Sequence, residues 1–139
     1  MTYGGTDDYI RNCEQCCKDQ GIKYVTFREF LSEEEIGRIR IRTDIFINAQ
    51  ITDAFSGSFC EYLYADTTVF NARWLHYDEI DRYGIELIEF DSFDSLKKEI
   101  EAFLQNANKY HIDYDKNEKI IRKLRSIESS KGKWNDIFI

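Results

Sequence analysis

The amino-acid sequence predicts an α/β fold with a doubly wound parallel sheet, in a single domain over residues 1–139. Short runs of β-branched and aromatic residues alternate with segments of helical periodicity four or five times along the chain. The chain is 42% apolar and 15% aromatic, which is enough to bury a core and excludes a disordered protein. Proline is absent, so the turns depend on the seven glycines and on Asn and Asp.

The helices are predicted from their caps and their apolar stripes. Thr6 caps the first helix, which ends near Gln20 before Gly21. Ser32 and Glu35 form a capping box for the second helix, which runs to about residue 42. The later predicted helices are 56–64, 77–83, 91–105, 115–129 and 134–138. Residues 105–139 thus form a C-terminal helical segment, with a polar connection at 106–114.

The strands are predicted from short runs of apolar, β-branched and aromatic residues. The predicted strands are 1–3, 22–27, 44–48, 68–71 and 85–90. The run 44–48 is apolar enough to be buried on both faces of a sheet. It is followed by a loop, a helix that starts at Ser56, and the strand 68–71, which predicts parallel strands joined by a right-handed crossover. The loop and the helix start then lie at the carboxyl edge of the sheet, where such folds bind ligands.

Charge and hydropathy exclude several function classes. The formal net charge of −7 argues against nucleic acid or an anionic membrane surface as the main partner. No run approaches about 18 consecutive apolar residues, so no transmembrane segment is predicted. We therefore expect a cytoplasmic protein that is peripheral at a membrane only through a partner.

Three of the four cysteines lie close together, at Cys13, Cys16 and Cys17. A zinc site needs a second ligand pair at suitable spacing, and the sequence has none. Ile10, Cys13 and Cys17 recur at helical spacing, so reduced cysteines packed in the core are the better interpretation. No metal and no cofactor are predicted.

The candidate site lies between Asp53 and Glu61, which are eight positions apart. Ser56, Gly57 and Ser58 open a helix between them, and small side chains allow an anion to approach the backbone N–H groups there. A helix N-terminus carries roughly half a positive charge, which favours phosphate. One turn further on, Glu61 is placed to accept two hydrogen bonds from a vicinal diol such as a ribose. Asp53 is a candidate for a sugar hydroxyl, with a turn or capping role as the alternative.

The segment 53–70 resembles the donor-site signature of the GT-B glycosyltransferases, group 1 or family 4-like. The matching residues are Asp53-Ala-Phe-Ser-Gly-Ser-Phe-Cys-Glu61, followed by Tyr62-Leu-Tyr-Ala-Asp-Thr-Thr-Val-Phe70. A looser resemblance covers residues 1–93. The chain departs from the signature where Asp53 replaces a Glu, where Ser56 replaces a Gly, and where Asp66 and Thr68 replace the Gly and Pro of the turn.

The resemblance implies a Rossmann-like domain, the C-terminal half of a GT-B fold, that binds a nucleoside diphosphate sugar without a metal. Glu61 would hold the ribose and Asp53 would face the donor sugar. The stretch of Ala54, Phe55, Ser56, Gly57 and Ser58 would face the diphosphate with its backbone. The whole enzyme would transfer the sugar to a glycan or lipid acceptor, as in cell-surface polysaccharide synthesis.

Two arginines and two histidines complete the candidates. Arg28 and Arg73 follow predicted strands and are candidates for base or phosphate contacts, with a solvated arginine as the alternative for each. His76 and His111 are lone histidines, for which a surface or capping role is predicted. No catalytic residue is predicted, because the base of this family usually comes from the other domain.

The resemblance covers only the donor half of a GT-B enzyme, so a missing acceptor domain or a partner subunit is expected. Residues 130–134 resemble the closing helix that crosses back to the acceptor domain. Exposed Trp134 and Phe138 would then form a homodimer or partner contact. We expect a fragment, a truncated product or one subunit of a split enzyme. The alternative is a non-catalytic nucleotide-binding or assembly subunit of a split glycosyltransferase.

Overall fold

A computed structural model of the chain describes residues 6–126. The chain divides into two compact units, residues 1–37 and residues 38–139, and each is described by itself below. The predicted strand 1–3, the predicted helix 134–138 and the end of the predicted helix 115–129 lie outside the described residues. Within 6–126, no helix is both long enough and apolar enough to span a bilayer.

The first unit contains helix α1, Asp7–Asp19, as its caps predict. The hydroxyl of Thr6 accepts a hydrogen bond from the N–H of Tyr9 at 3.2 Å, which satisfies one of the free donors of the first turn. Gln20 is the C-cap of this helix, and Gly21 follows with a φ of 65°. A side chain is strained in that left-handed conformation, which explains why glycine stands there.

The predicted strand 22–27 is wrong, because the structure has neither helix nor strand over residues 22–32. Val25 is 73% exposed and Ile22 is 55% exposed. β-branched and aromatic residues favour a strand only where a neighbouring strand and a packed face are present. Composition alone therefore misassigned this segment.

Helix α2, Glu33–Ile41, includes residues of both units. The predicted capping box is confirmed. The Ser32 N–H donates to the Glu35 carboxylate at 2.8 Å, and the Glu35 N–H donates to the Ser32 hydroxyl at 3.3 Å.

The second unit is built on a parallel three-stranded sheet, which confirms the predicted α/β class. Its strands are β1, Ile45–Asn48; β2, Thr68–Ala72; and β3, Ile88–Phe90. Their order is β1-β2-β3, with Ile45 opposite Thr68 and Phe70 opposite Ile88. The three strands progress in one direction, so no reversal of strand order occurs among the described strands.

Four α-helices follow in the described part of the second unit. They are α3, Gly57–Tyr64; α4, Asp78–Tyr83; α5, Phe93–Gln105; and α6, Tyr114–Arg125. A short 3₁₀ helix, Ala107–Tyr110, occupies part of the predicted polar connection. Ser92 caps α5 in a capping box, and Gly84 ends α4 with a φ of 66°.

Helices cover both faces of the sheet, as in Rossmann-like domains. Tyr62 of α3 stacks on Phe46 of β1, with ring centres 4.1 Å apart. Phe103 of α5 meets Phe70 of β2 edge to face at 5.8 Å. Phe46 pairs in register with Val69, and successive residues of a strand face opposite sides, so Phe46 and Phe70 lie on opposite faces. Helices α3 and α5 therefore sandwich the sheet.

The sheet is buried at its centre and open at its β1 edge. All five residues of β2 are buried, and Phe59 and Phe70 are fully inaccessible to solvent. In contrast, Ile47 of β1 is 43% exposed. The prediction that 44–48 is buried on both faces is therefore wrong. Such burial belongs to the central strand, which is flanked by strands as well as covered by helices.

Strand β3 is shorter than the predicted strand 85–90. The backbone N–H and carbonyl of Glu86, just before β3, form hydrogen bonds with the side chain of Asn117 in α6 and not with a neighbouring strand. The N–H of Glu86 donates to the side-chain oxygen of Asn117 at 2.9 Å. The carbonyl of Glu86 accepts from the amide nitrogen of Asn117 at 2.7 Å. Ile85 is nevertheless buried, so its apolar side chain serves the core without joining the ladder.

Candidate functional site

The loop between β1 and α3 is shaped by Asp53 and Ser56. The carboxylate of Asp53 accepts a hydrogen bond from the N–H of Ser56 at 3.3 Å. The hydroxyl of Ser56 caps α3 by accepting from the N–H of Phe59, also at 3.3 Å. The turn role that was the alternative for Asp53 is thus present, and it brings Asp53 to the carboxyl end of β1.

Phe55 adopts a left-handed conformation, with φ at 54°, although it is not a glycine. Such a conformation is uncommon for a bulky residue and persists only where the surroundings impose it. The ring packs against Phe59 and Tyr77, with ring centres 5.5 Å away in each case. The guanidinium of Arg125 in α6 donates to the Phe55 carbonyl at 2.5 Å and lies 5.5 Å from the Phe55 ring centre. Tertiary contacts therefore hold this turn in place.

A buried polar network connects the sheet to Asp53. The side-chain amide of Asn48 donates to Asn71 at 2.9 Å and to the hydroxyl of Tyr77 at 3.0 Å. That hydroxyl donates in turn to the carboxylate of Asp53 at 2.5 Å. Asn71 is fixed by donating to the carbonyl of Leu75 at 3.2 Å. Side chains at the ends of two neighbouring strands thus position the Asp53 carboxylate.

The pKa values of Asp53 and Tyr77 follow from this network. Burial is the largest influence on Asp53 and would raise its pKa, but hydrogen bonds from Tyr77 and from the Ser56 and Ala54 N–H groups outweigh it and lower the pKa. The pKa of Tyr77 is raised, first by burial and then by its hydrogen bond to Asp53. Asp53 is therefore an anionic acceptor at neutral pH, and Tyr77 is a neutral donor.

Asp53 opens onto a shallow depression of about 280 Å³ at the carboxyl edge of the sheet. Residues of the β1–α3 loop and of the start of α4 line it: Asp53, Ala54, Phe55, His76, Tyr77, Asp78 and Glu79. Three of these side chains are carboxylates, and His76 lies 3.3 Å from Asp78. The depression thus offers hydrogen-bond acceptors rather than a positively charged pocket. Within 6–126, no group of three or more His, Cys, Asp or Glu side chains is arranged to hold a metal ion.

The start of α3 is open, as the small residues predict. A Cβ atom added at Gly57 would meet no atom of residues 6–126 within 4 Å, so these residues leave space above the first turn. Gly57 is exposed, while Ser56 and Ser58 are partly exposed. The backbone N–H groups of a helix start favour an anion in such an open position.

Glu61 lies outside the depression and is engaged by Arg40, a residue that the sequence analysis did not single out. The carboxylate of Glu61 forms an ion pair with the Nε of Arg40. The side chain of Glu61 is 55% exposed, although the neighbouring Phe59, Cys60 and Leu63 are buried. The side chain of Arg40 is only 11% exposed. In the sequence, Arg40 is one of three arginines at alternating positions, with Arg38 and Arg42, and no pattern marks it as the buried one.

The structure thus brings Asp53, Ala54 and Phe55 together in the depression and places the small residues at the adjoining helix start. Arg73 follows β2, as predicted, but pairs with Glu89 at 3.3 Å and with Asp91 at 3.2 Å. These carboxylates, Asp91 first, raise the pKa of Arg73. Its role as a base or phosphate contact stays a prediction.

Arg28 belongs to the first unit and does not follow a strand, because the predicted strand 22–27 is absent. It pairs with Glu14 at 3.0 Å and with Asp7 at 3.9 Å. Its role as a base or phosphate contact also stays a prediction.

The cysteines are free thiols, but only one lies in the core. Cys60 is buried, and burial raises the pKa of its thiol, which keeps it protonated and unreactive. Cys13 and Cys16 are exposed and Cys17 is partly exposed, so the prediction that Cys13 and Cys17 pack in the core is wrong for Cys13 and only partly met by Cys17. Among the described residues of α1, only Ile10 is buried, so the buried face of this helix is narrow.

Comparisons of the chain with protein-family models, with curated proteins and with solved structures gave no match, so the interpretation of this site depends on its own residues and geometry.

Proposed function

We propose that this chain is the donor-binding domain of a glycosyltransferase that transfers a sugar from a nucleoside diphosphate sugar to a glycan or lipid acceptor. The observation that carries the proposal is the position of Asp53. Its carboxylate is held by Tyr77 and by the Ser56 N–H at the carboxyl end of β1, directly before the open start of α3. A sugar-hydroxyl acceptor and a phosphate-binding helix start are thereby adjacent in one loop.

The acidic lining of the depression supports a sugar as its occupant. Sugar hydroxyls donate hydrogen bonds, and Asp53, Asp78 and Glu79 offer carboxylate acceptors to them. The volume of about 280 Å³ is close to the lower end of ligand pockets, which span roughly 300–1,000 Å³. One sugar ring in an open depression is compatible with that volume.

The same lining argues that the diphosphate lies elsewhere in the site. Three carboxylates would repel a diphosphate from the depression itself. The first turn of α3 adjoins the depression through Phe55 and Ser56. It presents the N–H groups of Gly57 and Ser58, which have no intrahelical partner, together with the positive end of the helix dipole, whereas the Ser56 and Phe59 N–H groups are already taken by Asp53 and by the Ser56 hydroxyl. We therefore assign the sugar to the depression, the diphosphate to residues 56–58 and the ribose to Glu61.

Titration of the full chain followed by ¹H–¹⁵N NMR tests the proposal. The ligands are UDP, GDP and their glucose and mannose conjugates at concentrations up to millimolar. The expected result is a saturable shift of the amides of residues 55–58 and of Glu61 with one nucleotide series. If no nucleotide or nucleotide sugar shifts these amides, the donor-site proposal is wrong.

Three variants resolve the roles within the site. Asp53→Asn is expected to weaken the sugar conjugate more than the bare nucleoside diphosphate, because only the conjugate carries the sugar. Glu61→Gln is expected to weaken both ligands alike. Glu101→Gln, at an exposed position of α5, is the matched control and should change neither affinity. Equal effects of all three variants would reflect net charge alone and would contradict the assignment.

A further inference from the structure

The side chain of Arg40, in the last turn of α2, is only 11% exposed. A buried guanidinium is unfavourable unless its donors are paired, because removing a charge from water has a large free-energy penalty. The partners of Arg40 therefore indicate what this arginine does.

Among the described residues, the partners of the Arg40 side chain lie on one side of α3, and two of them, Ser58 and Glu61, belong to the predicted donor site. Its Nε pairs with the Oε2 of Glu61, and its Nη2 donates to the hydroxyl of Ser58 at 2.6 Å. The guanidinium carbon also lies 4.9 Å from the ring centre of Tyr62. Ser58, Glu61 and Tyr62 are spaced three and four residues apart, so they share a helical face. Tyr62 is itself fixed by its stacking on Phe46.

This arrangement restricts the carboxylate of Glu61. A planar guanidinium that touches two side chains and stacks on a third has a single orientation, which a lysine ammonium does not reproduce. One oxygen of Glu61 is committed to Arg40. The other oxygen, Oε1, receives no hydrogen bond from the described residues, and the side chain is 55% exposed. An oriented, open carboxylate oxygen is thus presented about one turn beyond the start of α3.

We propose that Arg40 is a positioning residue that holds Glu61 for a ribose diol and thereby makes the site select ribonucleotides over 2′-deoxyribonucleotides. The inference rests on the proposed donor-binding function and adds to it the residue that sets this selectivity. Without Arg40, the Glu61 side chain regains its rotamers and is no longer directed at the 2′- and 3′-hydroxyls. The affinity for the phosphates depends on the helix start and is less affected.

The test compares the affinities of UDP and 2′-deoxy-UDP, and of GDP and 2′-deoxy-GDP, by calorimetry and NMR. In the wild type, we expect a preference for the ribonucleotide of about tenfold or more, as for hydrogen bonds to a charged group. Arg40→Met should bring the ratio close to one. Arg40→Lys should retain an intermediate ratio, because the charge remains while the planar geometry is lost.

Arg122→Met is the matched control. Arg122 also pairs with a carboxylate, Glu118, and lies 5.6 Å from the ring centre of a tyrosine, Tyr64, but its side chain is 65% exposed on α6. This variant should leave the ratio between ribonucleotide and deoxyribonucleotide unchanged. If Arg40→Met does not fold, the ratio between ribonucleotide and deoxyribonucleotide affinity is measured in Arg40→Lys and Ser58→Ala instead. Both variants retain the carboxylate of Glu61.

The outcomes separate the two proposals. If the wild type binds a nucleotide and Arg40→Met keeps the full preference for ribose, Arg40 has only a structural role and the inference is wrong. If the wild type binds none of the four nucleotides, the donor function fails and the inference fails with it. The carboxyl ¹³C resonance of Glu61 in the ligand-free protein gives an independent check, because loss of the ion pair in Arg40→Met must shift it.

Discussion

Tyr77→Phe removes a single hydroxyl from the centre of the candidate site. In the wild type this hydroxyl donates to Asp53 at 2.5 Å and accepts from the Asn48 amide at 3.0 Å. The substitution retains the ring, which packs against Phe55 and Phe59. It therefore tests the polar network separately from the packing of the core.

The expected loss in the free energy of unfolding is about 2 kcal/mol, the usual effect of leaving a buried donor unpaired. Asn48 is 1% exposed and keeps its bond to Asn71, so one of its two N–H groups loses its partner. Asp53 is partly exposed, and water replaces the lost donor there at little cost. At neutral pH most of the loss is thus assigned to Asn48, and the smaller part that depends on pH is assigned to the hydrogen bond between Tyr77 and Asp53.

The difference in the free energy of unfolding between wild type and Tyr77→Phe should decrease at both acidic and alkaline pH. The folded-state pKa of Asp53 lies below the ordinary value of 3.8, so its contribution is present above that pH and is lost as the pH falls through the folded value. The folded-state pKa of Tyr77 is raised above 10.0, so its contribution is present below that pH and is lost on further alkalinisation. The difference between wild type and Tyr77→Phe should therefore be largest between these two values.

Urea denaturation followed by circular dichroism at several pH values measures this difference. Tyr110→Phe is the control, because Tyr110 also donates to a carboxylate, Glu99 at 2.8 Å, but is more exposed. It should lose less than about 1 kcal/mol, in line with a solvated hydrogen bond. A Tyr77→Phe variant as stable as the wild type, or a difference that does not change with pH, would refute the network as described.

Four further predictions concern packing, backbone, a helix start and a polar contact. Phe59→Ala, at a fully buried site, should lower the free energy of unfolding by about 3–5 kcal/mol in denaturant titrations; a loss below that range would mean that the core collapses around the cavity. Gly84→Ala should cost about 1–2 kcal/mol because φ is 66°, although its Cβ would meet only the flexible end of Lys116. Gly57→Ala should leave stability unchanged or raise it, since no atom in the described part of the chain lies within 4 Å of the added Cβ and the position is helical. The same change should weaken nucleotide binding, measured by NMR titration, and unaltered binding would remove Gly57 from the anion site. Glu86→Gln should make the free energy of unfolding depend less steeply on pH in the acidic range. The pKa of Glu86 is lowered, first by the hydrogen bond from Lys116, so its contribution is present above pH 4.5 and lost below; an unchanged pH dependence in this range would show that this contact has no role.

Local signals in the sequence determined most of the helix boundaries. Thr6 and Ser32 cap their helices as predicted, and Ser56 and Ser92 cap the helices predicted over residues 56–64 and 91–105, because a cap is formed by groups only a few residues apart. The left-handed residue at Gly84 follows from the same local logic. The alternation of strand and helix also predicted the α/β class with its parallel sheet.

Only the tertiary structure decided which strand is central in the sheet. It also decided that residues 22–27 form no strand, so that prediction was wrong. A run of β-branched and aromatic residues indicates only a propensity for the strand conformation. Whether the run is buried depends on which strands and helices pack against it in the fold. Hence β2 is buried throughout, whereas Ile47 in β1 is 43% exposed at the sheet edge.

In the candidate site, the sequence by itself determined that Asp53, the small residues and Glu61 flank a helix start, because their spacing along one short segment is sufficient for that. It did not determine that Tyr77 holds Asp53 or that Arg40 holds Glu61. Those partners lie 24 and 21 positions away, and only the packed sheet brings them into contact. A hydrogen bond between residues that are distant in the sequence produces no periodic pattern. Any polar residue on a neighbouring helix or strand could be the partner, so the sequence does not identify which one it is. The choice of candidate residues therefore depended on local information, and their orientation was a property of the fold.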